Sequence, residues 1–147
     1  MITPALPALT RAEINNSISL LVVDDHLLML TVLKELLSRD KRFNVIGTCM
    51  SGLEAENLYE ELKPDVTIMD VYMKPMSGIE ATRNILNRHP DAKIMGLSNF
   101  YTKKDADELC QLGAKGYTVK IASADTIAEC VKKVYAGQLC FEESVDL

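Results

Sequence analysis

Five polar residues stand out because they fall at the ends of segments that read as strands. Asp24 and Asp25 follow Ile18–Val23, Asp70 follows residues 66–69, Ser98 follows 92–97, and Lys120 follows 115–119. Taken singly, each has an ordinary explanation: a helix cap, a loop residue, a turn former, a solvated charge. Brought to one place they would have to answer to each other, because three carboxylates in one pocket repel and one must titrate upward unless cations offset them. Lys120 offsets one charge, and a divalent cation would offset two more. The donors are oxygens only, which suits Mg²⁺ with its waters and phosphate oxygens. No Cys or His is placed to favour zinc. An all-carboxylate Mg²⁺ site with a nearby Lys and Ser fits a phosphoryl group, with one carboxylate as the nucleophile that accepts it as an acyl phosphate.

The elements that would position these groups alternate along the chain. Ile18–Val23 is continuously apolar, the pattern of a strand buried on both faces. Asp25 is placed to cap a helix over residues 26–40, with Met29, Val32, Leu33, Leu36 and Leu37 as its apolar stripe. Phe43–Cys49 reads as a second strand. Ser51-Gly-Leu-Glu54 and Ser77-Gly-Ile-Glu80 are capping boxes that open the next two helices. Strands are expected at 66–69, 92–97 and 115–119. A fourth helix starts at Thr102-x-x-Asp105 and closes at Gly113. A fifth runs over 123–136, with Gly137 as its stop.

Five strand–helix units predict a flavodoxin-like (βα)5 doubly wound parallel sheet of five strands, in order 2-1-3-4-5. Ligands of such sheets lie at the carboxyl ends of the strands, where the five polar residues fall. Residues 1–17 read as an N-terminal extension, broken by Pro4 and Pro7. Residues 18–137 form the domain, and 138–147 a tail or the start of a linker.

Composition narrows the function classes. The chain has 147 residues, 48% of them hydrophobic, enough to bury a core. Its net charge of −5 disfavours gripping a nucleic-acid backbone unaided. No apolar run is long enough to span a membrane, and no export signal is visible. A cytoplasmic location is therefore expected, with Cys49, Cys110, Cys130 and Cys140 as reduced thiols.

The motifs resemble those of the receiver domain of bacterial two-component response regulators. Leu21-Val-Val-Asp-Asp-His26 looks like the family's first acidic motif, and Pro64-Asp-Val-Thr-Ile-Met-Asp70 like the strand that delivers the phosphoacceptor. The loop from Met73 to Gly78 follows it. Gly113-Ala-Lys-Gly-Tyr-Thr-Val-Lys120 looks like the segment that carries the family's lysine. Asp-Asp-His and Gly-Ala-x-Gly-Tyr look most like the LuxR/NarL type, whose members usually continue into a helix-turn-helix domain.

The resemblance implies that Asp70 accepts the phosphoryl group from a sensor histidine kinase. Asp25 and Asp70 would coordinate Mg²⁺ with the backbone carbonyl of Tyr72, and Asp24 would reach the ion through water. Lys120 would pair with the phosphoryl oxygens. Ser98 would donate to one of them, and Tyr117 would change rotamer with the Ser98 loop. Tyr72 and Phe100, two residues past Asp70 and Ser98, would gate the approach of water. One departure is visible: Lys74 stands where the family commonly has Pro, and Pro75 comes one place later. A slightly altered loop with Lys74 solvated is expected.

Rival readings fit less well. No Gly-rich flavin, dinucleotide or P-loop phosphate motif follows the first strand. A haloacid-dehalogenase-like phosphatase also phosphorylates an Asp at a strand end, but it wants a second acid two residues later, where this chain has Tyr72. The chain is therefore expected not to be an enzyme beyond its own phosphorylation and dephosphorylation. Two outputs stay open. One is transcription control through a DNA-binding domain outside this chain; the other is a stand-alone receiver signalling by protein contact. A homodimer is also expected. Placing Met29 and Leu33 in the core puts Leu27 roughly opposite, beside Leu28 and Leu30, as a contact patch. The resemblance offers instead the face of helix four, strand five and helix five.

Overall fold

The computed structural model describes residues 17–141. The expected N-terminal extension, apart from Ser17, and the tail beyond Phe141 lie outside the described residues. Elements follow in the order β1 (Ile18–Val23), α1 (Leu27–Ser38), β2 (Phe43–Cys49), α2 (Gly52–Leu62), β3 (Val66–Asp70) and α3 (Gly78–Arg88). They continue with β4 (Ile94–Ser98), α4 (Lys103–Leu112), β5 (Gly116–Val119), α5 (Ala124–Tyr135) and β6 (Cys140–Phe141).

All strands pair in parallel. The flavodoxin-like α/β fold is as expected, with one correction. Among the described residues the sheet has six strands, in order β2-β1-β3-β4-β5-β6, not five. β6 lies within the stretch read as a tail. It adds to the outer edge of β5 after a turn at Gly137, whose φ of 88° suits glycine.

Burial explains the strand pattern. Every residue of β1, β3, β4 and β5 is buried. Ile18, Leu20 and Val22 pack on one face with α1 and α5, and Leu21 and Val23 on the other with α2 and α3. That is the period of two of a strand covered on both sides. A third cluster, Val71, Ala106, Leu109, Ala114 and Tyr117, seats α4 beside the end of β3.

Among the described residues, side-chain caps form at four of the five helices. Ser51 accepts from the Glu54 amide, Ser77 from Glu80, Thr102 from Asp105, and Ser123 from Thr126. α1 differs from expectation. Its N-cap position is His26, not Asp25, and no side chain caps it. The residues it buries are Leu30, Leu33 and Leu37, while Val32 and Leu36 face out, 42% and 38% exposed. The stretch from Leu27 to Leu33 is apolar nearly all round, so its periodicity cannot select a face, and packing against the sheet does. Leu27 and Leu28 are exposed as the dimer reading needs, but Leu30 is not part of that patch.

The cysteine expectation is corrected as well. Cys49 and Cys110 are free, whereas the sulfurs of Cys130 on α5 and Cys140 on β6 are in bonding contact. The cause is β6 itself, which carries Cys140 back over α5. No helix of the described residues is long and apolar enough to cross a membrane.

Candidate functional site

The carboxyl ends of β1, β3, β4 and β5 carry the polar residues singled out in the sequence. The chain turns sharply after each strand, and two local contacts set the geometry. Asp24, at the end of β1, bends back so that its Oδ1 accepts from the His26 amide at 2.9 Å. Asp70 Oδ1 likewise accepts from the Tyr72 amide at 3.2 Å. The loop after β3 then returns against its own start, with the Gly78 amide donating to the Val71 carbonyl at 2.8 Å. A Cβ at position 78 would lie 1.8 Å from the Asp70 carbonyl oxygen, so only glycine closes this loop. Lys74 is exposed and its bond to Pro75 is cis, which locates the departure seen in the sequence.

Lys120 reaches in from the end of β5. Its Nζ lies 2.8 Å from Asp24 Oδ2 and 3.2 Å from Asp70 Oδ1, with all three side chains nearly buried. Carboxylate oxygens of Asp24, Asp25 and Asp70 lie within 4.8 Å of one another. Asp24 Oδ2 is buried and has the ion pair with Lys120 but no hydrogen bond. Burial first, and the negative charge of Asp24 second, push the Asp70 carboxyl up to about 7 against the pull of Lys120. A cluster with one ammonium for three carboxylates and a raised Asp is short of positive charge. Its donors are oxygens, and Asp25 is exposed at its mouth. These residues fit Mg²⁺ on donor chemistry and on charge.

A cavity of about 290 Å³ opens over the cluster, lined by Asp25, His26, Met29, Asp70, Tyr72, Asn99 and Lys120. Ser98 and Tyr117 are not in its lining. Ser98 Oγ instead lies 2.7 Å from Tyr117 Oη, and both hydroxyls donate toward the Phe100 carbonyl, at 2.5 and 3.1 Å. Tyr117 is fully buried and stacks on Tyr101, ring centroids 4.7 Å apart. Its burial raises the phenol above its ordinary range.

The two residues read as a gate separate. Tyr72 lines the cavity; Phe100 does not, and its side chain is 78% exposed. Sequence reading missed one partner: Asp105, in the first turn of α4, accepts a hydrogen bond from the Tyr72 phenol. That bond to Asp105 pushes Tyr72 up to about 12. Asp105 showed only its capping signal, since its amide bonds the Thr102 hydroxyl. Nothing local in sequence joins it to a residue 33 positions away.

Residues 20–132 match the response regulator receiver domain. The chain is 35% identical over 122 residues to the transcriptional regulatory protein DegU of Brevibacillus brevis, covering 83% of this chain and 52% of that protein. It is 39% identical over 121 residues to the response regulator GacA of Pseudomonas viridiflava, covering 82% of this chain and 56% of that one. The chain thus spans little more than half the length of these curated relatives. A crystal structure of a LuxR-family two-component response regulator from Aurantimonas sp. SI85-9A1 superposes with a TM-score of 0.81 at 27% identity, over 84% of this chain and 89% of that one. By match and by fold, the chain belongs to the response regulator receiver domain family.

Proposed function

We propose that this chain is a phosphoacceptor switch that takes a phosphoryl group onto Asp70 from a histidine kinase. The observation that carries the reading is the position of Lys120 Nζ between Asp24 and Asp70, with Asp25 at the mouth of the same cavity. A carboxylate oxygen of Asp70 attacks phosphorus, the phosphorus–nitrogen bond of a phosphohistidine breaks, and the imidazole leaves with the electron pair and takes a proton. Lys120 holds Asp70 in place before transfer and faces the new phosphoryl oxygens after it.

Asp24, Asp25, Asp70 and the Tyr72 carbonyl would hold Mg²⁺, which supplies charge neutralisation for carboxylates and phosphoryl oxygens. Ser98 and Tyr117 form the read-out. Before Ser98 can donate to a phosphoryl oxygen it must give up its bond to the Phe100 carbonyl, which also accepts from the Tyr117 hydroxyl beside Ser98 Oγ. Tyr72, tied to Asp105 and raised to about 12, is a poor proton donor, which weighs against a haloacid-dehalogenase-like phosphatase. On this reading the chemistry of the domain is its own phosphorylation and dephosphorylation at Asp70. The LuxR-family neighbour and the partial span of DegU and GacA support a transcriptional output through a DNA-binding domain outside the described residues.

The test is intact-mass measurement after incubation with acetyl phosphate and Mg²⁺. The mass rises by one phosphoryl group in wild type and stays unchanged in Asp70→Asn or with chelator. Phosphorylation that survives the substitution would refute the assignment.

A further inference from the structure

Cys130 and Cys140 stand apart from the phosphoryl site and from the chemistry assigned to it. Cys130 lies on the buried face of α5, 1% exposed, and Cys140 on β6, 3% exposed. Their Cα atoms are 5.6 Å apart, within the span a disulfide bridges without moving the backbone. The remaining cysteines do not share this placement: Cys49 is buried near Ser51 and Cys110 is exposed on α4.

β6 is a short edge element. It has two residues, far fewer than an ordinary strand, and one neighbour. The Cys140 amide donates to the Lys115 carbonyl at 2.9 Å, and Cys140 and Phe141 stand in register with Gly116 and Tyr117. Position 116 has no room for a side chain, because a Cβ there would meet the Cys140 carbonyl at 3.0 Å and Val134 at 2.9 Å. Phe141 then packs against the cluster that contains Tyr117, Leu109 and Ala106. β6 is therefore a short, weakly paired segment that ends on the residue proposed as the read-out.

We propose that Cys130 and Cys140 form a reversible disulfide that clasps β6 onto β5 and fixes Phe141 against Tyr117. The oxidant is a low-molecular-weight disulfide. Opening of β6 exposes the Cys140 thiol, whose thiolate attacks the small disulfide, forms a mixed disulfide and releases one small thiol. The Cys130 thiolate then attacks the Cys140 sulfur, closes the protein disulfide and releases the second thiol. The protein loses two electrons and two protons, and the small disulfide gains them. Excess reductant reverses both steps and frees β6.

The full chain is incubated with oxidised glutathione, quenched in acid, unfolded without reductant and alkylated with N-ethylmaleimide. Two maleimides are expected, on Cys49 and Cys110, in place of the four that reduced protein takes, with one peptide linking Cys130 to Cys140. Hydrogen exchange at the Cys140 amide should slow by about tenfold or more on oxidation and recover with reductant. Cys110→Ser should behave as wild type with one maleimide fewer. Four maleimides, or a link between other cysteines, overturns the disulfide. A correct link with unchanged exchange at Cys140 overturns the clasp. Neither readout uses Asp70, so failure here leaves the proposed phosphorylation standing, and failure there leaves this proposal standing.

Discussion

The Tyr72 phenol donates to the Asp105 carboxylate and so ties the loop that follows Asp70 to the first turn of α4. Two neighbours in space, 33 positions apart in sequence, thereby join the loop beside the carboxylate cluster to the helix that packs against Tyr117. The tie also holds the Tyr72 ring at the cavity wall, although its side chain remains 59% exposed.

If Asp70 carries an acyl phosphate as proposed, water approaching it through this cavity passes the Tyr72 ring. Tyr72→Asn should therefore shorten the phosphoryl half-life by roughly threefold to tenfold, up to about 1.4 kcal/mol of barrier. Asp105→Asn, which weakens the tie and keeps the ring, should give a smaller acceleration. Phe100→Ala should change little, since that side chain lies outside the cavity lining. Loss of radiolabel over time measures all three. Equal half-lives for Tyr72→Asn and wild type would show that the ring does not exclude water.

Lys120 is the counter-charge of two buried carboxylates. Lys120→Met keeps much of the volume and removes the charge. In metal-free protein it should cost about 3–5 kcal/mol, the range for breaking a buried pair by deleting one partner. Mg²⁺ should stabilise the variant more than wild type, because the ion then meets a less compensated cluster. The variant should still accept phosphate, yet beryllofluoride should no longer shift the NMR signals of Ser98 and Tyr117. Denaturant midpoints with and without Mg²⁺ check the first claim. A shift pattern like wild type would refute the second.

Much of this site was legible because its positions follow from strand ends. Continuous apolar runs mark strands buried on both faces, and the first polar residue after each run falls on one sheet edge. Asp24, Asp70 and Lys120 come into contact for that reason. Features that depend on packing were not legible. α1 is apolar nearly all round, so the expected stripe was right at Leu33 and Leu37 but wrongly took in Val32 and Leu36 and left out Leu30. β6 has two residues and no period to detect. Phe100 has the position of a gate residue in sequence, but its backbone carbonyl, not its ring, takes part in the Ser98–Tyr117 network.

The exposed patch of α1 consists of Leu27 and Leu28, 63% and 68% exposed, with Val32 one turn on. If this patch forms a homodimer, Leu28→Glu should abolish concentration-dependent association and leave the melting temperature nearly unchanged, because no core contact is lost. Sedimentation velocity over a hundredfold range of concentration reads the outcome. A monomer in wild type with and without beryllofluoride would exclude this dimer.

Asp70 gives a pH dependence whose sign is fixed. In the folded metal-free protein its carboxyl protonates near 7, held up by burial and by Asp24. In the unfolded chain it does so near ~4. Between those values the folded state binds more protons than the unfolded state, so the Asp70 contribution to stability falls as pH rises through that window. Asp70→Asn cannot ionise and should remove this slope. The variant should gain on wild type between pH 5 and pH 7.5, by about 1–3 kcal/mol at the upper end. The difference between the two proteins reads the loss of the Asp70 carboxyl together with its electrostatic coupling to Asp24. Urea denaturation in chelator at the two pH values measures it. Mg²⁺ should shrink the gap at pH 7.5, because the ion stabilises the ionised carboxylate that asparagine lacks. A gap that is constant with pH would place the ordinary carboxylate pKa on Asp70 and remove the charge shortage inferred for the cluster.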